Sequence, residues 1–183
     1  FFKKLPIGRF SYFWNLAIWF MKKQHIGFDL DIYEGIEELH TSDRRLLEKA
    51  IAARKNAYAP YSNFQVGAAV LMENGEVVIG NNQENASYPS GLCAERVAVF
   101  QAGALYPGVA ILSIAISAAS NNYALDKPAG PCGNCRQAIM EYEIKQKSPI
   151  ALLLQGQEGA VYKCSSLKDI LPLAFGNSFL EDS

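Results

Sequence analysis

A chain of 183 residues with 17 Lys+Arg against 18 Asp+Glu carries a formal charge of −1, and half of its residues are hydrophobic. That length suits one domain able to bury an apolar core without disulfide staples. So little positive charge, with no basic stripe, argues against a polymeric nucleic acid partner.

The first twenty residues differ in character from the rest. Residues 10–20 are aromatic and apolar and follow Lys3, Lys4 and Arg9. The run is shorter than the roughly 20 residues that span a bilayer, Asn15 interrupts it, and no small-residue cleavage pattern follows. Met21-Lys22-Lys23-Gln24 reads as an ordinary start. Residues 1–20 are therefore expected to be a non-native or upstream N-terminal extension, with a single domain over 21–183 and no membrane association.

Thr41-Ser42-Asp43 can cap a helix in which Leu46, Leu47, Ala50, Ile51 and Arg54 recur at helical spacing, ending near Ala59-Pro60. Residues 64–72 and 77–80 read as two strands of a hairpin, with Asn74-Gly75 supplying positive φ angles at the turn. Residues 94–104 follow as a helix and 111–119 as an almost uninterrupted apolar strand. Residues 136–142 then read as a helix, 150–154 as a buried strand and 161–164 as an edge strand. Strands alternating with helices after an opening hairpin predict an α/β fold, a three-layer α/β/α sandwich with a mixed sheet of about five strands.

The chemistry lies in Cys93-Ala94-Glu95 and in Pro131-Cys132-Gly133-Asn134-Cys135. Cys93, Cys132 and Cys135 offer three thiolates to one Zn²⁺, leaving the fourth position open as catalytic zinc sites do, and Glu95 is a carboxylate one residue from a ligand. Both cysteine groups follow loops and open predicted helices, where backbone N–H groups and the helix dipole favour thiolate. Cys132-x-x-Cys135 alone would equally suit a redox pair or half of a zinc ribbon. Cys164 has no comparably spaced partner and reads as a small buried residue. The paired spacing points to metal chemistry in a reducing, cytoplasmic compartment rather than to disulfides. Three thiolates around Zn²⁺ leave a net −1 centre that acidifies a bound water less than three histidines would, so a compensating cation is expected. Arg96 and Arg136, each adjacent to a key residue, are the candidates. His25 and His40 lie outside any ligand cluster and are expected at the surface.

Three stretches carry a further signal: Tyr58-Ala-Pro-Tyr-Ser-Asn-Phe-Gln-Val-Gly-Ala-Ala-Val70, Asn82-Gln-Glu-Asn-Ala-Ser-Tyr-Pro-Ser-Gly-Leu-Cys-Ala-Glu-Arg96, and Pro131-Cys-Gly-Asn-Cys-Arg-Gln137. Together they resemble the cytidine deaminase family, in its small homotetrameric zinc-dependent branch, over roughly 38–175. A three-cysteine site with a non-ligand Glu and a Pro-Cys-x-x-Cys element also fits zinc deaminases in general. The resemblance implies zinc-dependent hydrolytic deamination of cytidine and deoxycytidine to uridine and deoxyuridine plus ammonia, a pyrimidine-salvage reaction. It implies one Zn²⁺ per subunit on Cys93, Cys132 and Cys135, with Glu95 as proton shuttle and Arg96 hydrogen-bonded to the thiolates.

By the same resemblance Asn82 and Glu84 hold the ribose hydroxyls, Phe64 packs against the pyrimidine, and the Ala94 N–H meets the 2-carbonyl oxygen. Gln83 departs from the family's usual Val and is expected to matter little for substrate class. Phe175, in the apolar stretch 171–175, and Tyr88 are expected at contacts between subunits of a homotetramer. Deamination of a modified aminonucleoside such as blasticidin S, a polynucleotide substrate, and a noncatalytic zinc-binding module are the alternatives. The Asn82-Gln83-Glu84-Asn85 stretch favours ordinary nucleosides over the first, the missing basic track counts against the second, and Glu95 is unexplained by the third.

Overall fold

The structure, a computed structural model, describes residues 21–180. The extension expected over 1–20 lies outside the described residues. Strand β1 (Asp31–Tyr33) leads through a short 3₁₀ turn to helix α1 (Thr41–Arg54), the hairpin strands β2 (Phe64–Met72) and β3 (Val77–Asn81), and helix α2 (Ala94–Leu105). Strand β4 (Ile111–Ser120), helix α3 (Gly133–Gln146), strands β5 (Ala151–Gln155) and β6 (Val161–Cys164), and the short helix α4 (Leu167–Ile170) complete the order.

The strands form one mixed sheet in the order β1-β6-β5-β4-β2-β3, in which β4 and β5 are parallel and the other neighbours antiparallel. The sheet therefore has six strands rather than about five. The added strand is β1, whose three residues pair with β6 at Asp31–Lys163, Ile32–Tyr162 and Tyr33–Val161, so β6 is not the edge strand expected but lies between β1 and β5.

Period-two alternation sorts the strand residues into two cores. Ala69, Ala115 and Leu153 pack under Leu46, Leu47 and Ala50 of α1. Their neighbours Ala68, Val70, Ile114, Ile116 and Leu152 face Ala98, Val99 and Ala102 of α2 and Ile139 and Met140 of α3. This is the expected three-layer α/β/α sandwich.

Three local expectations are revised. Helix α1 is capped by His40, whose ring accepts from the Ser42 N–H at 3.4 Å. The Asp43 carboxylate is instead engaged by Lys163 Nζ of β6 at 2.6 Å. The helix ends at Arg54 rather than near Pro60, where the side-chain amide of Asn81 takes the Ala53 carbonyl at 3.1 Å. In the hairpin only Gly75 has positive φ, +86°; the Gly75 N–H donates to the Met72 carbonyl at 3.0 Å and the Met72 N–H to the Glu76 carbonyl at 2.9 Å. That is a three-residue loop with one left-handed glycine rather than a two-residue Asn-Gly turn.

Arg54, at the end of α1, ties that layer to the sheet. Its Nη1 donates to Ser117 Oγ at 2.8 Å, the Ala118 carbonyl at 3.1 Å and the Gly156 carbonyl at 3.2 Å. On the other layer, α2 lies so close on β3 that a Cβ at Gly80 would come within 2.6 Å of both the Ala94 carbonyl oxygen and the Ala98 nitrogen. That contact fixes the height of the first turn of α2 above the sheet.

Candidate active site

Cys93 and Cys132 are the N-cap residues of α2 and α3, both in extended backbone, and Cys135 lies in the first turn of α3. Two helix N-termini thus point their unpaired N–H groups at one place, which favours negative charge there. The sulfurs converge, with Cys93 Sγ to Cys132 Sγ at 3.9 Å, Cys132 Sγ to Cys135 Sγ at 3.6 Å, and all three within 4.8 Å of one another. A tetrahedral zinc with Zn–S bonds of ~2.3 Å needs sulfurs ~3.8 Å apart. The donor set and its spacing therefore fit Zn²⁺ with one open position. All four cysteines are free thiols, and Cys164 is buried elsewhere in the core, outside the cluster.

Hydrogen bonding from Cys135 outweighs burial and, with Arg96 and Cys132 assisting, pulls the Cys93 thiol down to about 5. Cys135 keeps the shared proton against Cys93 and is pushed far up. Arg96 Nη2 lies 4.0 Å from Cys93 Sγ. Burial alone would lower the Arg96 pKa, but the hydrogen bond to Cys93 and the charge of Cys135 and Cys93 raise it instead. Arg136, the other candidate cation, points away. Its Nε donates to the Pro131 carbonyl at 2.7 Å and its Nη1 to the Ile170 carbonyl at 2.8 Å, fastening the loop before Cys132 to α4.

Glu95 is 5% exposed, and burial, followed by the negative Cys93, raises its pKa. It lines a cavity of about 410 Å³ together with Cys93, Cys132, Phe64, Asn82 and Glu84. A second buried acid, Glu143, accepts from the Ile150 N–H, the Leu167 N–H and Ser166 Oγ at 2.8, 2.9 and 2.6 Å, so it serves the fold. Beside it, an outer lobe of about 460 Å³ is bounded by Tyr61, Gln83, Tyr88 and Arg96 and shares Asn82, Glu84 and Cys93 with it.

The remaining expected residues divide. Phe64 lines the inner lobe. Asn82 also lines it, but its side chain bonds the β2 backbone, accepting from the Val66 N–H at 2.8 Å and donating to the Phe64 carbonyl at 2.9 Å. Glu84 accepts from the Tyr61 N–H at 2.8 Å, the Ser62 N–H at 3.2 Å and the Ser62 hydroxyl. Desolvation pushes the Glu84 pKa up, yet these donors together hold it below the ordinary carboxylate value. Gln83 turns back to Asn81 Oδ1 at 2.5 Å.

Ala94 is fully buried and opens α2 between Cys93 and Glu95, both of which line the inner lobe. Tyr88, 76% exposed, stands at the outer lobe in edge contact with Tyr61. Phe175 is 56% exposed, stacks on Phe179 and lines neither lobe. Ser62 and the Tyr61 N–H, which hold Glu84, were not singled out from the sequence. Their partner is more than twenty residues away, and no local spacing announces it.

Residues 40–148 match the family model described as the cytidine and deoxycytidylate deaminase zinc-binding region. The chain is 48% identical over 100 residues to the cytidine deaminase of Halalkalibacterium halodurans, covering 54% of this chain and 71% of that one. It is 37% identical over 132 residues to the cytidine deaminase of Mycobacterium tuberculosis, covering 69% and 84%. The fold is similar to the crystal structure of cytidine deaminase from Burkholderia pseudomallei, with a TM-score of 0.62 and 43% identity over 72% of this chain and 97% of that one.

Proposed function

The chain belongs to the cytidine and deoxycytidylate deaminase family, and from that premise we propose that it is a zinc-dependent cytidine deaminase. It hydrolyses cytidine and deoxycytidine to uridine and deoxyuridine with release of ammonia. The observation that carries this reading is the cavity lined by Cys93 and Cys132 of the three-cysteine cluster together with the buried Glu95 and Phe64.

Cys93, Cys132 and Cys135 would hold the zinc, which would supply Lewis-acid activation of a water near neutral pH. Glu95 takes a proton from the attacking water and delivers it to N3 of the pyrimidine as the water oxygen bonds to C4. It then carries the second water proton to the exocyclic amine, the C4–N4 bond breaks, and ammonia leaves. One carboxylate serves both transfers, and burial shifts Glu95 toward its protonated form relative to an exposed carboxylate. Arg96 offsets the negative charge of the thiolate cluster. Phe64 packs on the base, Glu84 accepts from a sugar hydroxyl, and Asn82, bonded to the β2 backbone, has its second amide N–H left to donate to the sugar.

Free nucleosides, rather than nucleotides, are the substrates. Among the described residues the only cation lining either lobe is Arg96, whose guanidinium faces Cys93, while Glu84 adds an anion at the sugar end. A 5′-phosphate would meet no counter-charge there. The enzyme works in the cytoplasm, a reading supported by its four free cysteines, and no helix among the described residues is long and apolar enough to cross a membrane.

The working unit is a homotetramer. In its support, Tyr88, Leu173, Phe175 and Phe179 expose 76, 90, 56 and 70% of their surface in the lone chain, an apolar display that association would cover. Light scattering on the eluting protein tests this; a monomer with full activity would contradict it. Steady-state kinetics with cytidine, deoxycytidine, deoxycytidylate and blasticidin S test the substrate class. Turnover of the first two far above the others is expected, and preference for the nucleotide or for blasticidin S would overturn the assignment.

A further inference from the structure

The rim of the cavity is a turn over residues 59–64, closed by the Asn63 N–H on the Ala59 carbonyl at 3.1 Å. Asn63 sits in the left-handed region at φ 55°, a conformation Asn tolerates better than other residues with a Cβ. This places Ser62 between two groups proposed to touch substrate. Its hydroxyl donates to Glu84 Oε1 and accepts from the Phe64 N–H at 3.0 Å. Its own N–H and that of Tyr61 donate to Glu84 Oε2 at 3.2 and 2.8 Å.

A carboxylate has about four acceptor directions, and the turn fills three of those of Glu84. One direction is left for an incoming hydroxyl. A glutamate is among the side chains with most rotamer freedom to lose, so holding it in one pose beforehand removes that cost from ligand binding. The same hydroxyl also accepts from the Phe64 N–H, but Phe64 is held independently by its pairing with Ser120 of β4, so the base contact does not depend on Ser62.

We infer that Ser62 is a positioning residue for the sugar: through Glu84 it sets the enzyme's demand for a ribose hydroxyl. The inference rests on the cytidine deaminase reading and adds to it the residue on which that discrimination depends.

The test measures KM and kcat for cytidine and for 2′,3′-dideoxycytidine, which lacks the hydroxyls, in the zinc-loaded wild type, Ser62→Ala, Ser62→Thr, Glu84→Ala and the Ser62→Ala/Glu84→Ala double variant. Losing one of three donors to a charged group should raise the cytidine KM of Ser62→Ala about tenfold, with little change in kcat or zinc content. Ser62→Thr, which keeps the hydroxyl, should recover most of the affinity. The KM penalty should be absent with 2′,3′-dideoxycytidine and should vanish in the Glu84→Ala background. Should Ser62→Ala fold poorly, Ser62→Cys, which keeps a weaker donor, should show the same selective loss in smaller degree.

An unchanged cytidine KM, an equal penalty on both substrates, or additive losses in the double variant would overturn the role of Ser62. A wild type that does not turn over cytidine, or a Glu84→Ala variant with an unchanged cytidine KM, would instead refute the functional reading on which it rests.

Discussion

Gly80 of β3 lies directly beneath Ala94, so close that a Cβ there would stand 2.6 Å from the Ala94 carbonyl oxygen. Ala94 opens the helix whose preceding residue is Cys93 and whose next is Glu95. The absence of a side chain at one strand position therefore sets where a metal ligand and an acid sit. Gly80→Ala must push backbone, which cannot yield as a flexible side chain can. Destabilisation of about 1–3 kcal/mol is expected, with loss of bound zinc, read by denaturant unfolding and by metal analysis of the purified variant. Unchanged stability and full zinc would show that the site does not depend on this contact.

Glu95→Gln keeps size and burial but cannot exchange protons. It should retain one zinc per chain while kcat falls by at least ~10³-fold, near the upper range for loss of a general acid–base. Metal analysis beside steady-state kinetics checks both halves. Loss of zinc along with activity would assign Glu95 to the metal's support instead.

Arg96→Gln removes the cation nearest the thiolates while leaving the three sulfurs. Zinc affinity should fall roughly 10–100-fold, the usual effect of losing a group that supports metal ligands, as measured by competition with a chromogenic chelator. The same measurement on Arg136→Gln should show a smaller loss, since the Arg136 side chain bonds the Pro131 and Ile170 carbonyls rather than sulfur. Equal losses would contradict the distinction.

Lys163 and Asp43 join β6 to α1 at 2.6 Å, and the hydrogen bond to Asp43 raises the lysine above its ordinary 10.5 despite partial burial. A base whose folded pKa is raised adds stability that is fully present below its unfolded value and disappears as pH climbs through the folded one. Partly exposed pairs of this kind contribute about 1 kcal/mol or less. Asp43→Asn should therefore lower Tm by about 2–4 °C at pH 8, and the gap to wild type should narrow above pH 10.5. A gap that stays constant through that range would remove the pair from the account.

The metal cluster was legible in the sequence because ligand chemistry is local: a Cys-x-x-Cys pair, a third Cys and an adjacent Glu identify themselves wherever the chain folds. The core strands were legible for a similar reason, since uninterrupted apolar runs such as 111–119 have one natural home. What escaped was decided by partners far along the chain. Strand β1 is three residues that become a strand only against β6. The end of α1 depends on Asn81, and the role of Arg136 on carbonyls at Pro131 and Ile170. Ser62 looks like any turn serine until Glu84 is folded over it.

The central claim is tested most directly by incubating the zinc-loaded protein with cytidine and quantifying ammonia and uridine together, with Glu95→Ala in parallel. Equal molar amounts of both products from the wild type, and neither from the folded, zinc-containing variant, are the predicted result. Folded, zinc-loaded wild-type protein that yields neither product, or a Glu95→Ala variant that yields both at the wild-type rate, would contradict it.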